Sequence, residues 1–330
     1  MMCIKKFWSK PKILRSMRSN SVSFTQKRGD QIKNQNNPIH QHHVPQVYLK
    51  NFCSQDGRLA VLNSDTGKIF SSGTSVIGAE KNFYTLDKLD DPYYWEKFYA
   101  KGIEPLMGDL FPQIISRGNV LVRTGHCIIS PEEKIQLALI LVMQLLRGKQ
   151  SRRYEEDLFV KLFPDVTKKA KEKFGPLSAK QTEFLDTFRA DPNYFKQISM
   201  DVTLDTDRII QYTNVIGWHT FVFYHICGNM EFVTSDNPFM LVNSQTLSAV
   251  PFSNGLIQES TLGYYPLSPK LLLCTIHPNA FWGALFDNDG GLFHLNSDSE
   301  RAFINTINRK QKEQCYNQVY ARNTKSLEDL

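Results

Sequence analysis

From residue 38 onward, apolar positions recur with a period that changes twice, and each change predicts a different kind of element. Val47, Tyr48, Leu49 and Phe52 give a short helical face after Pro45, which suits the first helical position; Val44 is extended because it precedes that proline, and "SQDG" closes the turn. "RLAVLN", "SDTG" and "KIFSS" read as a β-hairpin, and "EKNFYTL" as a further short extended piece. Between Tyr94 and Ser116 the apolar residues return at helical spacing, with Pro105 and Pro112 expected to kink or split the segment. "ISPEEKIQLALILVMQLLRGKQSRRYEEDLF" opens with Ser130 as N-cap, Pro131 at the first position and Glu133 three residues past the cap, a capping box. Its apolar residues lie on all faces, which predicts a central, buried helix. Charged helical segments continue to about residue 214. The period then shortens to that of strands: "WHTFVFYHICGNMEFVTS" reads as a strand, a Gly-Asn turn and a second strand. "NPFMLVN", "LGYYPL", "KLLLCTI", "FWGALF" and "GLFHLN" continue that pattern. Residues 297–315 predict a closing helix and "NQVYAR" a last strand. The fold class is α+β: a mixed or antiparallel β-sheet core in one domain over 38–330, with a mostly helical insert at about 94–214.

Charge changes the picture only at one end. The net charge is +6, but residues 1–37 hold nine Lys or Arg against the single acid Asp30, a local +8, which leaves −2 for the rest. The basic character therefore belongs to a tail expected to be a disordered extension, while the body is close to neutral. Lys and Pro interrupt "CIKKFWSKPKIL", so it carries no signal-peptide apolar run. The apolar stretch Ile135 to Leu146 is broken by Gln136 and Gln144 and is too short for a bilayer, so no membrane is expected as partner. The 6 cysteines are too scattered for a zinc knuckle, which suits a reduced, cytoplasmic protein. Several motifs fail: "DTGK" lacks P-loop spacing, and "DNDGG" at 287–291 lacks the ligands of a calcium loop and reads as a hairpin turn.

"HHVPQVYLKNF", "FVTSDNPF", "YPLSPKLLL" and the helix "EEKIQLALILVMQLLRGKQSRR" together resemble the family catalogued as domain of unknown function 4238, a large bacterial group. The resemblance spans about residues 38–322. Its most specific parts are His42, Val44, Pro45, Tyr48 and Leu49, and the Thr-Ser-Asp-Asn-Pro turn at 234–238. It implies a fold and a set of marked residues, and the family supplies no function.

Three histidines in four positions, His40, His42 and His43, precede the helix that starts near Pro45. Unpaired N–H groups and a partly positive helix end make such a place suited to an anion, with histidine adding donors. The competing reading has His42 bonding a neighbouring carbonyl and locking the helix to the sheet. In "FVTSDNPF", Ser235, Asp236 and Asn237 either form a local turn or present a carboxylate at a strand end. Arg147, at the end of the most apolar helix, pairs with a carboxylate such as Glu80 or Asp236, or else recognises phosphate. His40 and His42 could share a divalent metal, a candidate cofactor, with Asp236. The resemblance places Asn308 on the same polar patch.

Two functions follow. In the first the chain is a phosphodiester hydrolase, nuclease-like and suited to a bacterial toxin or phage-defence setting. His42 is then acid or base, Asp236 its partner and Arg147 the stabiliser of phosphoryl charge. His43 and Asn237 stand beside them, His40, Ser235, Asn308 and Glu80 contact substrate, and nucleic acid is the candidate partner. In the second the chain is a non-catalytic binding or sensing module for a small anion or a protein partner. Convergence of His42, Arg147 and Asp236 in one cleft favours the enzyme; His42 and Asp236 bonded to nearby backbone favour the module.

Overall fold

The chain was analysed as a computed structural model, which describes residues 39–87, 91–120, 123–190, 196, 200, 204–248, 254–280, 288–296, 298–328 and 330. The basic tail and "FWGALF" lie outside the described residues.

Strand β1 (His40–His42) leads into a single helical turn α1 (Gln46–Leu49), which continues as a 3-10 turn, Lys50–Phe52. Pro45 is the N-cap, one place earlier than its spacing suggests. The hairpin is present as β2 (Arg58–Asn63) and β3 (Ile69–Gly73). "EKNFYTL" contributes only its first two residues to β4 (Ala79–Lys81), which pairs antiparallel with β1. Asn82, at φ 54, turns the chain out of the strand directly afterwards. Helix α2 (Tyr94–Phe98) passes through a π-helical segment, Tyr99–Ile103, into α3 (Glu104–Gly118). Pro105 lies in the first turn of α3 and Pro112 inside it, so the irregularity falls ahead of both prolines rather than at them.

A short strand β5 (His126–Cys127) precedes α4 (Pro131–Arg147), whose capping box forms as predicted: Ser130 Oγ accepts from Glu133 N and Glu133 accepts from Ser130 N. Residues 137–144 of α4 are all buried, so it is the central helix. Then come α5 (Lys149–Phe174), α6 (Ala179–Ala190) and α7 (Thr206–Trp218), the last packed on α4.

The strands β6 (Thr220–Ile226), β7 (Thr234–Ser235), β8 (Met240–Asn243), β9 (Thr261–Ser268), β10 (Leu271–Ile276) and β11 (Gly291–Leu295) follow. They precede α8 (Asp298–Gln314), β12 (Gln318–Ala321) and α9 (Lys325–Glu328). One six-stranded sheet has the order β5-β11-β6-β10-β9-β8, and β11 runs parallel to β6 while its other pairs are antiparallel. Every residue of β10 and nearly all of β9 is deeply buried, as expected for strands covered on both faces. The second sheet is β3-β2-β12-β7. The fold is thus α+β with mixed and antiparallel sheets.

"EFVTS" does not return along β6 as a hairpin. The alternation is present, but after the Gly-Asn turn the chain leaves the first sheet, and Thr234 and Ser235 pair with β12 in the second. Of "DNDGG" the described residues 288–291 turn the chain with Gly290 at φ 78, and Asp289 accepts from Phe221 N and pairs with Lys134, so its carboxylate braces the start of β6.

Candidate ligand site around Arg147

The two marked motifs meet in the core. Tyr48 is fully buried; its hydroxyl donates to Pro266 O at 2.7 Å and lies 2.6 Å from Thr234 Oγ1. Gly78, at φ +65, accepts from Val44 N, which holds the Val-Pro step against the β4 end of the small ribbon.

Around this junction the predicted residues divide into two sets. In the Thr-Ser-Asp-Asn-Pro turn every polar side chain is used by the scaffold. Asp236 accepts from the main-chain N–H of Tyr316 at 2.7 Å, Asn317 at 2.8 Å and Gln318 at 2.9 Å. Burial pushes its carboxyl up to about 6, while those three donors favour the ionised form. Ser235 donates to Gln311, and Asn237 donates to Gln314 O. Asn308 accepts from Val233 N and donates to Glu231 O, away from Arg147. These bonds fasten α8 and the start of β12 to the segment at 231–238.

The histidines do not gather at a helix end. His40 is exposed. The His42 ring sits 3.2 Å from Thr74 O, and burial lowers its pKa. His43 is buried against Phe83, with ring centroids 5.3 Å apart and, among the described residues, no hydrogen-bond partner on either nitrogen. Burial, with Lys149 and Arg147 nearby, holds it well below the usual imidazole range and therefore neutral. A helix of one turn has almost no dipole to offer an anion. Asp236 gives its oxygens to main-chain donors, and among the described residues His40, His42 and Asp236 do not form a group that could hold a metal ion. Glu80 is spent on Lys149, at 2.5 Å.

Arg147 stands at the centre of the second set. Its side chain is fully buried: Nε donates to Tyr84 Oη at 3.0 Å, and Nη2 donates to His42 O and faces Glu104 at 3.3 Å. The partner carboxylate is thus Glu104 rather than Glu80 or Asp236. The guanidinium lies 4.1 Å from the centre of the Tyr99 ring. Among the described residues its Nη1 has no partner, nor has the buried Tyr99 hydroxyl. Both residues line a narrow cleft with Tyr84, Leu146, Arg152, Glu155, Met200 and Leu204. Glu96 belongs to the same charge cluster: burial, with Glu104 adding to it, raises its carboxyl to about 7 against the pull of Arg147.

Glu96, Tyr99 and Glu104 are missing from the sequence-based assignment for a geometric reason. Positions eight apart stand about 80° from each other around a regular helix, at the two edges of one face. The extra residue of a π turn lets i and i+8 fall nearly as i and i+7 would, so both carboxylates act on Arg147. Such segments often mark functional sites, but nothing in "YAKGI" announces one.

Fold and site together define an α+β domain in which a buried arginine heads a narrow aromatic cleft. A family model described as "Protein of unknown function (DUF4238)" matches residues 40–325, and the chain belongs to that family. No curated protein and no solved structure matches the chain. Among the described residues no helix is long and apolar enough to cross a membrane.

Proposed function

We propose that this chain is a non-catalytic binding module that takes the head of a small oxyanion, a carboxylate or a phosphate, in the cleft beside Arg147. The observation that carries the reading is the pair of polar groups there, Arg147 Nη1 and the Tyr99 hydroxyl, buried without a partner among the described residues. A buried donor left unmatched costs about 1–3 kcal/mol, which a ligand oxygen recovers. A guanidinium already held on its other edge by Tyr84 and Glu104 is oriented in advance for that contact. The free space is of the order of one water molecule, so a single oxygen of the head group reaches Nη1 and the rest of the ligand stays outside.

The hydrolase reading has less support. His42 and Asp236 bond to main-chain groups, and the body lacks the excess positive charge of a nucleic-acid groove. What favours it is Glu96, whose carboxyl near 7 in the same charge cluster suits proton transfer. In either reading nucleic acid enters as a source of phosphate, and a protein partner as a source of carboxylate.

The test is thermal unfolding and calorimetry of the full chain with inorganic phosphate and with acetate, beside Tyr99→Phe. One of the anions should raise the melting temperature, by the equivalent of ~2.7 kcal/mol at a hundredfold excess over its Kd. Tyr99→Phe should melt no lower than the parent, since its hydroxyl bonds nothing among the described residues, yet bind more weakly. No stabilisation by either anion, together with a lower melting temperature for Tyr99→Phe, would refute the module. Metal-dependent cleavage of labelled RNA or DNA, lost in folded His42→Ala and Asp236→Ala, would restore the hydrolase.

A further inference from the structure

At the far end of the six-stranded sheet, β6 and β11 bring together three side chains that none of the motifs above includes. His225 and His294 are register partners in the parallel pair, so their side chains leave the same face of the sheet side by side. Cys227 lies two residues past His225 and therefore on that face as well. Its main-chain N–H donates to Leu295 O at 3.0 Å, which fixes the chain just beyond the strand end. Cys227 Sγ is 3.8 Å from His225 Nδ1 and 3.7 Å from His294 Nδ1. The three ligand atoms all lie within 4.8 Å of one another.

We propose that His225, Cys227 and His294 form a zinc site. Bond lengths of about 2.3 Å to sulfur and 2.0–2.1 Å to nitrogen put the S···N edge of a tetrahedron at ~3.5 Å, so the two S···N separations need only a few tenths of an ångström of closure, and the two imidazoles have to draw together to an N···N edge of ~3.3 Å. One thiolate and two neutral imidazoles match a borderline-soft ion, whereas magnesium or calcium would require oxygen ligands. On binding, the Cys227 thiol gives its proton to solvent and the sulfur bonds the metal; nothing is oxidised or reduced.

The frame is stiff enough for this. Lys270 Nζ donates to Gly228 O and Met230 O, pinning the loop after Cys227, and Ile226 N donates to Lys270 O. His225 is buried and Cys227 exposed, so the fourth coordination position faces solvent. Three protein ligands with one open position is the arrangement of zinc sites that bind an exchangeable water or ligand, in contrast to closed structural sites.

The site is tested with full-length, untagged protein stripped by chelator and titrated with Co2+, then with Zn2+. One equivalent of Co2+ should develop a thiolate-to-cobalt charge-transfer band, and Zn2+ should displace it. The band should vanish in Cys227→Ser and survive in Cys127→Ser, which removes another exposed thiol. His294→Ala, folded by circular dichroism, should bind more weakly by at least the ~10- to 100-fold typical of losing a group outside the ligand set. No charge-transfer band in the parent, or a band that persists in Cys227→Ser, would overturn the proposal.

Discussion

Tyr48→Phe removes one oxygen atom from the core and changes almost no volume, so its effect isolates the bond between the two motifs. In the parent the Tyr48 proton goes to Pro266 O at 2.7 Å, and Thr234, 2.6 Å away and fully buried, donates to Tyr48. Without the phenolic oxygen the Thr234 hydroxyl has no acceptor there and Pro266 O loses a donor. An abandoned buried polar group costs about 1–3 kcal/mol, which puts Tyr48→Phe at about 2–3 kcal/mol. At ~2 °C per kcal/mol for a chain of this size, the melting temperature should fall by about 4–6 °C. Thr234→Val alone leaves the Tyr48–Pro266 bond intact and should cost about 1 kcal/mol. In the double variant the abandoned Thr234 hydroxyl is absent, so the loss should be smaller than the sum, by about 1 kcal/mol. Urea unfolding of the four proteins measures the cycle. Additivity to within ~0.5 kcal/mol, or a Tyr48→Phe indistinguishable from the parent, would show that this bond does not join the motifs.

The remaining predictions concern protonation. His219 is 2 % exposed, and burial together with His277 lowers its pKa to about 4 from an ordinary 6.5. A depressed histidine contributes stability fully above its unfolded pKa and loses it as pH falls towards the folded one, so unfolding by urea should weaken by about 2 kcal/mol between pH 7 and pH 5 through this group. His219→Gln should flatten that part of the profile; an unchanged slope would remove His219 as its source. Glu96 has the opposite sign: its carboxyl is raised to about 7, so its contribution is complete below its unfolded pKa and lost as pH rises through 7. Glu96→Gln should therefore gain more stability relative to the parent at pH 8.5 than at pH 5.5, and equal gains at both values would mean that Glu96 is not held beside Arg147.

Much of the fold was legible because its signals are local. Ser130, Pro131 and Glu133 specify a helix start whatever packs on it, and the apolar runs of β9 and β10 specify buried strands whatever their order. Pairing is a long-range matter. "EFVTS" alternates like the second strand of a hairpin, yet only the position of β12, some eighty residues later, explains why Thr234 crosses to the other sheet. The site was less legible for the same reason. Arg147 was recognisable as a lone cation ending an apolar helix, but its carboxylate, Glu104, faces it only through a π turn that carries no sequence signature. His225, Cys227 and His294 lie sixty-nine residues apart at their extremes, and His-x-Cys is too common a spacing to mark a site without the β6–β11 register.

A motif legible from one sequence is a short run of chemically distinctive residues, and such runs arise readily where a turn must hold several strands and helices at once. The Thr-Ser-Asp-Asn-Pro turn fits that origin: its polar atoms bond β12, α8 and Tyr48, and little bonding capacity is left for a ligand. Capacity is instead found where residues from separate elements converge: at Arg147 Nη1 and Tyr99 Oη, which have no partner among the described residues, and across His225, Cys227 and His294, whose ligand atoms cluster. Loss of activity in Asp236→Ala would therefore mean little on its own, because a variant with three abandoned main-chain donors fails by unfolding. Tyr99→Phe and Cys227→Ser discriminate better: each removes a group on which the scaffold makes little demand, so a change in binding can be assigned to the site and not to the fold.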